Sequence, residues 1–170
     1  ESFGRNEHAK GFKVMVEHTA LNPFKEFHIG HLMPNIIGST IARIFEWNGA
    51  EVKQANYQGD VGLHIAKAIW ADGDYAKGVR AYEENPEAKN EIETINKKIY
   101  DKSDPEINKK YEKGKKKSLE YFEEIYKRLG TKFDYYFLES ETAEIGKNLV
   151  EENIGKVFEK SEGAIVFKGS

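Results

Sequence analysis

The sequence predicts an α/β fold in which a parallel sheet carries an inserted block of helices. Three observations predict it. Near the amino end a β-rich run, a helix-spaced run and a second β-rich run follow one another, which is the pattern of a βαβ unit with a right-handed crossover. From about 75 to 129 the chain becomes rich in Lys and Glu, with only a sparse apolar stripe, as expected of helices packed on one side. Sheet character then returns at 133–138.

The elements follow in order. Residues 12–18 alternate apolar and other side chains, Phe12, Val14 and Val16 among them, and read as a strand ending near Thr19. Asn22 and Pro23 punctuate a loop, after which Ile29, Leu32, Ile36, Ile37, Ile41, Ile44 and Phe45 recur at helical spacing as far as Trp47. Asn48 and Gly49 stop that helix. Residues 51–57 read as the second strand. Gly59, Asp60, Val61 and Gly62 form a turn into a helix reaching about Ala71.

In the Lys/Glu-rich block the stripe is Ile92, Ile95, Ile99, Ile107, Tyr111, Leu119, Phe122, Ile125 and Leu129. Ser103, Asp104, Pro105 and Glu106 open one of its helices with a cap, a proline and an acidic first turn. After the third strand a short helix is expected from about 142 to 152. Residues 156–160 and 164–168 then pair as a hairpin around Ser161, Glu162 and Gly163. This divides the chain into a first βαβ half (1–72), a helical insertion (73–130) and a return to the sheet with a short helix and hairpin (131–170).

Composition narrows the function classes. With 170 residues and 39% hydrophobic content, one ordinary domain can bury a core. A net charge of -3 gives no global basic field, so any nucleic-acid contact must come from a local patch. The absence of cysteine excludes disulfides and thiolate zinc sites, and fits a reducing, cytoplasmic compartment. No apolar run approaches the roughly 18 residues of a membrane span, so neither membrane insertion nor export is expected.

His28, Ile29, Gly30 and His31 lie where a loop leaving a strand becomes a helix, so backbone N–H groups and the positive helix end face what lies above the sheet. Such a place suits phosphate. Two imidazoles one turn apart can donate to polyphosphate oxygens as charge shifts onto a leaving group, and Gly30 lets a flat base or ribose approach. A His-x-x-His metal site is the rival reading, but only His18 or Glu17 could supply a third ligand, so no protein-bound metal is expected.

The stretch VEHTALNPFKEFHIGHLMPNIIG, followed by ANYQGDVGLHIAKAIW, resembles class I aminoacyl-tRNA synthetases, and among them the arginine enzymes. The resemblance implies an incomplete Rossmann-like class I synthetase nucleotide-binding fold. It implies activation of L-arginine by ATP, with Mg2+, to arginyl-adenylate, and transfer to tRNA(Arg). Carried over by position, His28 and His31 are similar to the motif histidines that stabilise ATP phosphates, Gly30 to the glycine under the nucleotide, and Lys25 to a phosphate-neutralising lysine. Asn22 and Glu17 match residues that hold the arginine α-amino or carboxylate group and its guanidinium, with His28 beside them. A buried carboxylate at Glu17 would pair bidentately with a planar cation.

Glu17, Asn22 and Lys25 also admit readings as a surface acid, a turn residue and a solvated loop cation. Gly59, Asp60 and Gly62 support the site as a turn and helix cap, and Lys115, Lys116 and Lys117 read as a solvated helix face rather than a tRNA contact. The chain departs from the family pattern at Leu21, Met33, Pro34 and Val61. Nothing up to Ser170 resembles the second signature loop, the rest of the arginine pocket or the anticodon-binding domain. The 170 residues alone are therefore expected to be inactive or weakly active, and an unpaired sheet edge favours self-association. The alternatives are another HxGH nucleotidyltransferase or adenylate-forming ligase, and a non-catalytic nucleotide- or tRNA-binding module.

Overall fold

The computed structural model describes residues 2–167 and 169. The chain runs β1 (Lys13–Glu17), α1 (Ile29–Trp47), β2 (Glu51–Gln58), α2 (Leu63–Trp70), α3 (Tyr75–Glu84), α4 (Pro86–Asp101), α5 (Pro105–Leu129), β3 (Tyr135–Leu138), α6 (Glu139–Glu152), β4 (Glu159–Ser161) and β5 (Ala164–Val166). β1, β2 and β3 form a parallel sheet in that order, with Glu17, Ala55 and Tyr135 in one rung. The βαβ unit read from the sequence is present.

Local chemistry sets the helix ends. Asn85 and Asp104 each accept two backbone N–H groups at the starts of α4 and α5, and each precedes a proline whose missing N–H costs nothing there. α5 ends at Gly130 in the left-handed region, at φ 68°.

The sheet is covered on one face. Gln54, Asn56 and Gln58 alternate onto the side where α1 and α5 lie: His18, packed on α1, meets Gln54 at 3.0 Å, and Asn56 donates to Tyr126 of α5 at 2.9 Å. Met15, Glu17, Tyr135 and Phe137 share the opposite face, which no described element covers, and all are exposed. α1 follows the same logic. Its buried residues are Asn35, Gly38, Ser39 and Ala42, whereas the Ile29, Ile36, Ile37, Ile41 and Ile44 that mark it in the sequence point outward.

The core lies instead between α2 and the insertion. Val61, Ile65, Ala66 and Ile69 pack on Ile92, Ile99 and Tyr111, and a second cluster joins Leu21 to Phe122 and Tyr126. The stripe read from the sequence is thus largely the packed side of the insertion. Two departures from the family pattern are explained here: Leu21 and Val61 are core residues, the first fully buried.

Three expected boundaries are corrected. β3 starts at Tyr135 because Phe133 turns inward against His18 and Tyr126, while the Asp134 carboxylate takes the Gln54 N–H. α6 begins at Glu139, directly after β3. The first hairpin strand is only Glu159–Ser161, because the N–H groups of Lys156, Val157 and Phe158 all turn back to the Asn153 carbonyl. The hairpin turn is Glu162 and Gly163, both at positive φ, while Lys168 of the expected second strand lies outside the described residues.

Candidate active site at the carboxyl edge of the sheet

The loop 18–28 leaves β1 in a conformation that side chains resist: Thr19, Ala20 and Phe24 have φ of 82°, 49° and 65°. Its surroundings hold it there. Asn35 Nδ2 donates to Thr19 Oγ1 at 3.0 Å, Thr131 Oγ1 donates to Asn35 Oδ1 at 2.8 Å, and the Phe24 N–H reaches Ser118 Oγ at 2.9 Å. Leu21 and Pro23 are buried beside these bonds. Contacts from three separate helical and loop segments therefore fix the approach to α1.

The two motif histidines begin α1 as a capping box. His28 is the N-cap and its Nδ1 accepts the Gly30 N–H at 3.0 Å, while His31 Nδ1 accepts the His28 N–H at 3.2 Å. Both Nδ1 atoms are thus acceptors, so in the neutral rings the proton sits on Nε2, which is left to donate outward. The rings lie 3.8 Å apart. Burial, then the charges of His28 and Lys25, lowers the His31 pKa below its ordinary value, which keeps it neutral at pH 7. Gly30 has a further reason to be glycine, since a Cβ there would meet His28 Cε1 at 2.8 Å. Pro34 lacks the N–H that would bond the Gly30 carbonyl, so that oxygen loses its helical partner.

Lys25, His28, Phe24 and the start of α3 at Gly73, Asp74 and Tyr75 line a cleft of about 450 Å³, with the Lys25 ammonium 5.4 Å from the Tyr75 ring. Asn22 Oδ1 accepts the Gly59 N–H at 2.9 Å, tying the loop after β1 to the loop after β2. That bond commits the amide oxygen and leaves the NH2 group as the part of Asn22 free to meet a ligand. Glu17 differs from the expected buried carboxylate: it is exposed at the end of β1, on the uncovered sheet face.

The loop 59–62 leads from β2 into α2, as the turn and cap expected from the sequence. Gly62 is the N-cap of α2, at φ 111° and without a side-chain bond. Asp60 does not cap α2 and is wholly buried. It accepts the Ser140 N–H at 2.9 Å, the Ser140 hydroxyl at 2.7 Å and the Tyr111 hydroxyl at 2.8 Å, with Lys115 Nζ 3.4 Å away. Burial alone would raise its pKa, but the Ser140 and Tyr111 bonds and the Lys115 charge hold it below the usual carboxylate value. Lys115 therefore turns inward, at 17% exposure, while Lys116 and Lys117 remain on the solvated face. The reading of all three as solvated is corrected for this one residue, because a buried carboxylate needs a counter-charge.

Sequence reasoning missed Tyr111, Ser140, His64 and Glu139 around this loop. No spacing signal could have found Tyr111, Ser140 or Glu139, since Ser140 lies 80 positions from Asp60, whereas His64 lies only five from Gly59. His64 contacts the Gly59 carbonyl at 2.9 Å through Nε2, and its pKa is lowered by burial above all. Among the described residues no three His, Asp or Glu side chains converge as metal ligands.

The sequence from 3 to 168 matches the family described as tRNA synthetases class I (R), catalytic domain. It is 31% identical over 188 residues to an arginine–tRNA ligase of Borrelia garinii subsp. bavariensis, covering 97% of this chain and 32% of that one. An arginine–tRNA ligase of Pyrococcus furiosus is 46% identical over 68 residues, covering 40% of this chain and 11% of that one. The fold is similar to the crystal structure of arginyl-tRNA synthetase from Plasmodium falciparum, with a TM-score of 0.65 at 23% identity over 99% of this chain and 31% of that one. The chain thus spans about a third of the length of the curated relatives it matches over nearly its whole length.

Proposed function

The chain belongs to the class I arginyl-tRNA synthetase catalytic-domain family, and from that premise we propose that it builds the ATP-phosphate and amino-acid side of an arginine–tRNA ligase site. In the reaction a carboxylate oxygen of L-arginine attacks the α-phosphorus of ATP. A new P–O bond forms, the bond to the bridging oxygen breaks, and pyrophosphate leaves with the electron pair. The 3' end of tRNA(Arg) then takes the arginyl group and AMP departs. Cytoplasmic location belongs to the same reading.

The observation that carries it is the pair of imidazoles 3.8 Å apart at the start of α1, with their Nδ1 atoms committed to backbone N–H groups. Each presents an Nε2–H to the phosphates beside the positive helix end, where negative charge grows as pyrophosphate leaves. Lys25 adds a fixed positive charge on the cleft wall. Gly30 leaves the helix start open to the nucleotide, and Mg2+ would enter with ATP and offset part of its phosphate charge. Asn22 offers its NH2 group to the arginine carboxylate, and Glu17 its carboxylate to the guanidinium. Gly59, Asp60 and Gly62 shape the loop that Asn22 leans on. Catalysis of this kind rests on position and charge, with no covalent protein intermediate.

The test is amino-acid-dependent ATP–pyrophosphate exchange by the protein encoded by the full reading frame that contains these residues, with tRNA(Arg) added. Exchange with arginine alone, lost in His28→Ala and His31→Ala, is the expected result. Exchange with a different amino acid, or with none, overturns the assignment.

A further inference from the structure

The Gly59 backbone is held on both sides by side chains from different parts of the fold. Its N–H donates to Asn22 Oδ1 at 2.9 Å, and its carbonyl lies 2.9 Å from Nε2 of half-buried His64, in the first turn of α2. A carbonyl only accepts, so Nε2 carries the proton and the neutral ring is the tautomer that leaves Nδ1 bare. Among the described residues no other group bonds that carbonyl.

Glycine is needed here for room. A Cβ on Gly59 would meet Glu139 Oε2 at 3.0 Å and Asn22 Oδ1 at 3.1 Å. The same choice leaves a backbone with wide rotational freedom at the point where Asn22 leans on it. Before it, Gln58 is fixed by pairing with Leu138, and after it the Asp60 side chain is locked by Ser140 and Tyr111. Neither set of bonds fixes the plane of the peptide between Gly59 and Asp60. The His64 bond does, and from a firm base, because Ile65, Ala66 and Ile69 of the same helix lie in the core.

We propose that His64 is a positioning residue for the amino-acid substrate: by holding the Gly59 carbonyl it aims the Gly59 N–H at Asn22 Oδ1, and so keeps the Asn22 NH2 group turned toward the substrate carboxylate. The inference rests on the reading of Asn22 above and deepens it. Without the His64 bond, Gly59 can swing its N–H away from Asn22. A primary amide then has little to choose between two orientations that exchange its oxygen and its NH2 group. An amide oxygen turned to the site would repel the carboxylate. The phosphate side, at Lys25, His28 and His31, shares none of these bonds.

Steady-state ATP–pyrophosphate exchange by the protein encoded by the full reading frame, with tRNA(Arg) present, tests this. His64→Leu fills the space without a donor, and His64→Asn is polar but too short to reach the carbonyl. Both should raise the KM for arginine about fivefold, the worth of one hydrogen bond, and leave the KM for ATP unchanged. His64→Gln, which places an N–H where Nε2 lies, should restore the original value. In an Asn22→Ala background His64→Leu should add nothing, because the two residues act in one line. If His64→Leu and His64→Asn leave the arginine KM as it was, raise both KM values alike, or add their full effect to Asn22→Ala, the role of His64 falls while arginine activation by the unmodified protein stands. If the unmodified protein shows no exchange with arginine, the reading beneath it falls as well.

Discussion

Gly38 of α1 lies so tightly over His18 that a Cβ on it would come within 2.3 Å of the histidine Cβ and Cγ. His18 is buried, its Nδ1 2.9 Å from Thr19 Oγ1 and its Nε2 3.0 Å from Gln54 Oε1, so it is not free to retreat. Thr19 in turn is the strained residue that starts the site loop. Gly38→Ala should therefore move α1 and the loop together. A loss of about 1–3 kcal/mol is expected, the usual cost of overpacking, read by urea denaturation. An unchanged midpoint would show that the seam is looser than its geometry.

Burial lowers the pKa of His18, His31 and His64 below the ordinary 6.5, in each case as the largest cause. The unfolded chain then binds more protons than the folded one just below that pH. Stability is full above about 6.5 and is lost as pH falls from there toward the folded-state values. Urea midpoints measured from pH 8 down to pH 5 should fall, and His18→Asn should flatten part of the slope. A flat profile across that window would contradict the buried neutral state of these rings.

Asp60 and Lys115 form the buried charge pair that links the loop after β2 to the insertion. Asp60→Asn keeps the shape but leaves Lys115 only the exposed Glu112 carboxylate, 3.7 Å away, so the loss should stay at or below the roughly 3 kcal/mol of a fully buried broken pair. The acid limb follows the same residue. Its depressed pKa gives stability that is present above the unfolded value near 3.9 and lost as pH falls through the folded one. Denaturation of Asp60→Asn should thus show a lower midpoint at pH 7 and a shallower loss below pH 4.

How far the sequence could be read follows from which forces are local. Asp104 and Gly130 end α5 through bonds to nearby backbone, and the turn at Glu162 and Gly163 is equally short-range, so these elements lay within reach of pattern and turn chemistry. The helix start at His28 was legible for the same reason, because His28, Gly30 and His31 bond one another. Asp60 was not legible as a hub, since its partners Tyr111, Lys115 and Ser140 come from α5 and α6. α1 teaches the opposite lesson. Its strong apolar spacing located the helix, but the side it buries is marked by Asn35, Gly38, Ser39 and Ala42, whose small size permits close packing on β1 and β2.

The double duty of His28 can be separated by substitution. As N-cap it satisfies the Gly30 N–H, and as a ring with its proton on Nε2 it offers a donor outward. Alanine removes both functions, whereas asparagine keeps a strong N-cap acceptor and cannot place a donor where Nε2 lies. His28→Ala should lower stability by about 1 kcal/mol, and His28→Asn by less. ATP affinity, measured by titration of the 170-residue chain with Mg-ATP, should fall in both variants to a similar extent. If His28→Asn binds ATP as tightly as the unmodified chain while His28→Ala does not, the imidazole is a cap alone. The phosphate contact would then pass to His31, whose Nε2 lies free beside it and whose alanine variant becomes the deciding measurement.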